Sequence, residues 1–247
     1  MKFVVPIALV VAWFAATSTG AIKSYQLASP QAVLVELNDL ASRGLLWTDL
    51  GASLERVATG FALAAMLAIV LGSLVGASRI AEKLLDPTLQ AIRSVPSLAW
   101  VPLLLLWLGI GETAKIALVA IGAFFPIYVA LASAIRNVDR KLVEVARVLG
   151  VRGLPFIARV LLPAALPQLL VGLRIGLTQA WLFLVAAELL GASRGLGFLL
   201  TDGQQIARTD EILVAILAFA ICGKLSESAM RLLERRLVGW TDTVVAR

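Results

Sequence analysis

The chain has 247 residues, 60% of them apolar and 15% charged, with no histidine, one cysteine (Cys222) and a formal net charge of +6. Water-soluble domains run at about 45–50% apolar and about 25% charged, so this composition points to a surface that faces lipid. The lack of histidine excludes histidine metal ligands and histidine acid–base catalysis, and one cysteine excludes an internal disulfide framework or a multi-cysteine metal site.

A helix needs about 20 mostly apolar residues to cross a bilayer. The first such run is 3–21. Lys2 before it and the small residues from Ala15 to Gly20 at its end also fit a cleavable signal peptide, the competing reading of this run. In the segment 22–56, the stretch 30–37 reads as a short helix opened by Pro30, and Asp49 or Ser53 is placed to cap the helix entering the second run, 57–77. A short connection, 78–90, follows. The apolar stretch 89–135 is too long for one span, and Gly109-Ile110-Gly111-Glu112-Thr113 divides it into 91–108 and 114–134. The fifth run is 168–190 and the sixth 211–231. The expected fold is all-α: a polytopic membrane protein with six transmembrane helices in a single domain over 1–247.

Lys and Arg in the connections set the orientation. With the N-terminus inside, the inner segments hold 14: Lys2, Arg79, Lys83, Arg93, Arg136, Arg140, Lys141, Arg147, Arg152, Arg159, Arg231, Arg235, Arg236 and Arg247. The outer segments hold 6: Lys23, Arg43, Arg56, Lys115, Arg194 and Arg208. Both termini are expected in the cytoplasm. The basic balance is then a topology signal, with weak attraction for anionic lipid heads, and a nucleic-acid partner loses its main support.

The inner segment 136–167 is longer than a connection requires. Asp139 caps an expected helix to about Leu149, with Leu142, Val145, Ala146 and Leu149 forming an apolar stripe and Arg140, Lys141, Glu144 and Arg147 on the remaining face. Arg140–Glu144 is a weak i, i+4 pair. Gly150 stops the helix, a turn with Gly153 follows, and Pro155 opens the next piece. Pro163 and Pro167, four residues apart, work against a continuous straight helix. Two helical pieces meeting at a glycine turn fit a docking site for a cytoplasmic protein; an amphipathic helix lying on the membrane is the alternative.

This segment also carries a recognisable spacing: Glu144-Val145-Ala146, three residues, Gly150, nine residues, Val160-Leu161-Leu162-Pro163. It resembles the "EAA" loop of the membrane subunits of binding-protein-dependent ABC importers, E-A-A-x3-G-x9-I-x-L-P, departing conservatively at Val145 and Val160. Ile92-Arg93-Ser94-Val95-Pro96, Leu106-Trp107-Leu108-Gly109-Ile110-Gly111-Glu112, Phe125-Pro126-Ile127-Tyr128, Leu162-Pro163-Ala164-Ala165-Leu166-Pro167, Ala186-Ala187-Glu188-Leu189-Leu190 and Gly195-Leu196-Gly197 are similar to permeases of the aliphatic sulfonate, taurine and nitrate group. The resemblance implies a type I ABC importer transmembrane fold in the bacterial inner membrane, working as a homodimer above two cytoplasmic ABC ATPase subunits. Glu144, Ala146, Arg147, Gly150, Arg152, Gly153 and Pro163 then form the ATPase-coupling region. A periplasmic or lipid-anchored substrate-binding protein would dock outside, near 191–210. The implied cargo is a small organic anion, an aliphatic sulfonate, with taurine, nitrate, bicarbonate or a vitamin precursor as alternatives.

The chain has no motor of its own by the phosphate-cradling pattern G-x4-G-K-[ST]: Gly223-Lys224 is followed by Leu225, and Ala218 stands where the first glycine belongs. No cofactor is expected in this chain; ATP and Mg belong to the partner ATPase. Charges inside spans are functional candidates. Lys224 and Arg174 could compensate an anion on its path, or snorkel to the inner headgroups. Glu188 could form an outer gate, or pair with Arg194 or Arg208. Trp13, Trp47, Trp100, Trp107, Trp181 and Trp240 read as interface anchors or packing. A secondary transporter is the competing class, but the inverted repeat common there is missing. An intramembrane hydrolase would need a Ser–Lys type pair, and no spacing places one.

Overall fold

The computed structural model describes residues 4–20 and 22–238. Lys2, Trp240 and Arg247, and the ends 3 and 21 of the first run, lie outside the described residues. Every regular element among the described residues is helical, in the order α1 Val4–Ser18, α2 Pro30–Ser42, α3 Leu45–Ala77, α4 Arg79–Ser94, a 3-10 turn Ser97–Trp100, α5 Val101–Leu108, α6 Glu112–Arg136, α7 Arg140–Val148, α8 Leu154–Phe156, a π turn Ile157–Leu161, α9 Leu162–Leu189, α10 Leu196–Gln205 and α11 Thr209–Leu237.

Among the described residues, four helical stretches are long and apolar enough to cross a membrane: Leu45–Ala77, Glu112–Arg136, Leu154–Leu189 and Thr209–Leu237. The region of the expected span 91–108 is not straight. Arg79–Ser94 and Ser97–Leu108 meet at 90°, and count as a fifth crossing only when taken together. The cause is local: Pro96 excludes the helical conformation from Val95, which is extended at ψ 124. The expected connection 78–90 is part of α4, an amphipathic helix capped by Ser78, whose Oγ accepts from the Ala81 N–H at 3.3 Å. The expected break at 109–113 stands where α5 ends, with Gly109 at φ +74, and α6 begins at Glu112. The α1 helix has 15 residues, about 22 Å at the helical rise.

The helix entering the second run starts earlier than expected. With 33 residues, α3 spans about 50 Å, against a hydrocarbon core of about 30 Å. Asp49 and Ser53 therefore lie inside α3 and do not cap its start.

The chain divides into two compact units. One comprises Met1–Glu55 and Val185–Cys222. Its apolar core joins Ala28, Val33, Leu40 and Leu46 to Leu196, Leu199, Val214, Ala215 and Ala218. Trp13 Nε1 donates to the Ala28 carbonyl at 3.0 Å, which gives that indole a polar partner as well as packing. Ser29 caps α2, its Oγ accepting from the Ala32 N–H at 3.2 Å, with Pro30 at the first position.

The other unit comprises Arg56–Leu184 and Gly223–Arg247. Its core centres on α6, with Ile127, Tyr128, Leu131, Ala132 and Ile135 against Ala68 and Val75 of α3 and Ala165 and Leu169 of α9. Close approach is allowed by missing side chains. A Cβ on Gly76 would lie 2.8 Å from Ile135 Cβ, and one on Gly176 would lie 2.7 Å from Ile127 Cγ1. With no hydrophobic drive between helices in lipid, such contact supplies the packing energy.

Candidate functional site

The segment 136–167 folds as its local chemistry dictates. Asp139 Oδ1 accepts from the Lys141 N–H at 2.9 Å and starts α7. At the other end the Gly150 N–H donates to the Arg147 carbonyl at 3.0 Å and the Val151 N–H to the Ala146 carbonyl at 2.9 Å. This pair of bonds is the Schellman motif, which requires a left-handed residue at Gly150, here at φ +74. Gly153 is also left-handed, at φ +66, and leads into Pro155 at the start of α8. The Leu162 N–H then reaches back five residues to the Ile157 carbonyl, forming the π turn just before Pro163. A proline cannot donate to the carbonyl four residues behind it, and a widened turn absorbs the mismatch. Pro167 is accommodated inside α9.

The apolar stripe splits in two. Ala146 is buried, whereas Leu142, Val145 and Leu149 are exposed, as is Val148, outside the expected stripe, at 87%. Leu154, across the turn, is 76% exposed. Glu144 is exposed beside these side chains and, among the described residues, has no ion-pair partner; the expected Arg140–Glu144 pair does not form. Arg147, Arg152 and Gly153 line a cavity of about 350 Å³ with Val151 and Phe156. The structure thus brings together Glu144, Arg147, Gly150, Arg152 and Gly153 on one exposed turn, supported by Ala146, with Pro163 exposed at the start of α9.

The α4 helix, which joins the same unit, is held to α6 by a polar network that the sequence did not reveal. The Tyr128 hydroxyl donates to Asp86 Oδ1 at 2.5 Å, and Arg136 Nη1 donates to Glu82 Oε1 at 2.5 Å. At the other end of α6, Glu112 is gripped by Arg56 through two bonds, of 2.6 and 2.8 Å, and by Lys115 at 3.1 Å. Arg56 and Lys115 are buried, so a shared carboxylate offsets part of their desolvation.

The intramembrane charges have local partners. Arg174 Nη1 meets Glu234 Oε2 at 3.2 Å, and Lys224 Nζ lies 3.5 Å from Glu227 Oε2 on the same helix face. Lys224 remains 66% exposed. Glu188 is fully buried and accepts from the Ser53 hydroxyl and from the Gly197 N–H, each at 2.7 Å. Arg208, one of its expected partners, instead binds Glu36 and Asp210. The hydrogen bond to Asp210, with that to Glu36, holds the Arg208 pKa above the ordinary arginine value against the opposing effect of burial.

A helical membrane subunit with an exposed, glycine-shaped loop and no nucleotide motif is the class these features define. The family model for the binding-protein-dependent transport system inner membrane component matches residues 64–239. The chain belongs to that family: it is the inner-membrane permease component of an ABC importer, and ATP is bound and hydrolysed by a separate subunit. Its relatives include the putative aliphatic sulfonates transport permease protein of Bacillus subtilis (strain 168), 42% identical over 96% of this chain and 86% of that one. The taurine transport system permease protein of Escherichia coli (strain K12) is 37% identical over 96% of this chain and 88% of that one. Among solved structures, the inward-facing MetNI methionine ABC transporter contains a chain that superposes with a TM-score of 0.70 at 22% identity, covering 80% of this chain and 98% of that one, a likeness of fold.

Proposed function

We propose that this chain forms the translocation pathway for a small organic anion, an aliphatic sulfonate, and moves it inward by ATP-driven alternating access. A homodimer sits above two ATPase subunits, and a substrate-binding protein delivers cargo from outside to the segment 191–210. The chain acts as a single permease domain, with α1 and the bent α4–α5 pair completing six crossings and both termini in the cytoplasm. The observation that carries the reading is the turn around Gly150, where Val145, Val148 and Leu149 are exposed on the same short helix as Glu144, which has no ion-pair partner among the described residues. Apolar side chains are left in water there at a place where a protein partner would bury them. On this reading Glu144, Ala146, Arg147, Gly150, Arg152, Gly153 and Pro163 couple the permease to the motor. The cargo is inferred from the sulfonate and taurine permeases to which the chain is similar, and Lys224, exposed in α11, is a cation for the anion's path. Arg174 and Glu188 are the other pathway candidates, and their pairing favours a structural part.

The test is uptake by the full transporter in proteoliposomes. Gly150→Pro removes the N–H that bonds to Arg147 and the left-handed conformation together. Membrane insertion is expected to persist while ATP hydrolysis no longer drives uptake. Normal coupled uptake by that variant rejects the coupling assignment. Competition by taurine, nitrate and ethanesulfonate in the same assay separates the cargoes.

A further inference from the structure

The turn entering α10 has a construction that the coupling role does not use and that gives Glu188 a structural task. A helix start leaves backbone N–H groups without intrahelical partners. Here three consecutive ones are taken by side chains, two of them from α3 and one from the end of α9. The Gly195 N–H donates to Asp49 Oδ1 at 2.7 Å, the Leu196 N–H to Ser53 Oγ at 2.8 Å, and the Gly197 N–H to Glu188 Oε2 at 2.7 Å. The Ser53 hydroxyl donates to Glu188 Oε1 at 2.7 Å, which links Ser53 and Glu188. All of it is dry: Asp49 is 5% exposed, Ser53 and Glu188 0%.

The glycines on either side fit no other residue. Gly195 sits at φ +124, and a Cβ on Gly197 would lie 2.4 Å from Glu188 Cβ. The far end of α10 is also tied, since the Arg208 N–H donates to the Gly203 carbonyl at 2.7 Å and the Arg208 side chain binds Glu36 and Asp210. Between these ties the end of the helix presents Gln204, Gln205, Ile206 and Ala207 to the outside of its unit, all exposed.

We propose that Asp49, Ser53 and Glu188 are positioning residues that clamp the first turn of α10 and so hold the surface on which the substrate-loaded binding protein lands. The inference rests on the reading of 191–210 as the receiving segment. A buried network is stable only when every donor and acceptor is matched, so the helix has one seat and no intermediate one. A capped, dry turn presents a docking surface already ordered, which lowers the cost of association.

Two measurements on the assembled transporter in nanodiscs test it. Hydrogen exchange over 191–205 reads the clamp directly. Titration with the system's own binding protein, saturated with ethanesulfonate, reads docking as the concentration that half-maximally stimulates ATP hydrolysis. Ser53→Ala is expected to speed exchange and to raise the half-maximal concentration by about tenfold, as for one orphaned buried amide, with basal hydrolysis unchanged. Ser53→Thr keeps the hydroxyl and restores both. Glu188→Gln keeps the shape but puts an NH2 donor against either the Ser53 O–H or the Gly197 N–H, and changes both readouts in the same direction. Unchanged exchange in Ser53→Ala overturns the clamp. Faster exchange with an unchanged half-maximal concentration overturns its role in docking. A wild-type transporter that the loaded binding protein fails to stimulate overturns the receiving-segment reading, and the exchange data then judge the clamp alone.

Discussion

At the scale of single residues, geometry separates side chains that look alike in sequence. Lys224 and Lys115 both stand in apolar helices, but Lys115 is buried against Glu112 while Lys224 is exposed beside Glu227. Lys224, with its side chain 66% exposed, is the one proposed to meet cargo. Lys224→Met is expected to lower anion-stimulated ATP hydrolysis while leaving the amount of protein in the membrane unchanged; unaltered uptake would assign Lys224 to the lipid headgroups. Gly197 belongs to the Gly195-Leu196-Gly197 motif, and its constraint is packing against Glu188 at a distance no Cβ tolerates. Gly197→Ala is expected to cost about 1–3 kcal/mol by overpacking, read as a lower unfolding midpoint in detergent.

At the scale of elements, the helices were visible as apolar runs because lipid demands about 20 such residues whatever the fold. The segment 136–167 was visible for a different reason: caps at Asp139 and Gly150 act within a few residues, so sequence neighbours suffice to specify them. The α4–α5 bend was written in Pro96, but hydropathy alone averages over it. How α4 is fastened was not legible, because Asp86 and Tyr128 are 42 residues apart. That bond involves a carboxylate and a buried ring, so Tyr128→Phe is expected to cost about 1.5–3 kcal/mol in a thermal unfolding series. Arg136–Glu82 is part-exposed, at 33% and 38%, and Glu82→Gln is expected to cost under about 1 kcal/mol. Equal effects from the two variants would argue against α4 being held chiefly through Tyr128.

At the scale of the whole molecule, the distribution of Lys and Arg gives the proposed orientation, and labelling tests it. Cys222 is the lone cysteine and is buried, so replacing it gives a quiet background. In that background Gln204→Cys is expected to react with a membrane-impermeant maleimide added to intact cells, and Glu144→Cys only after the inner face is opened. The reverse pattern would invert the topology. By itself the sequence determined that the chain lives in lipid, which runs form helices, and where a family-specific loop lies, since solvent preference, helix caps and motif spacing are local properties. Only the tertiary structure decided the fate of the polar residues inside the apolar runs. Asp49 and Ser53 have the chemistry of caps in any reading, but which helix they cap depends on what α3 packs against. The answer, the first turn of α10, is set by contacts more than 140 residues apart in the chain.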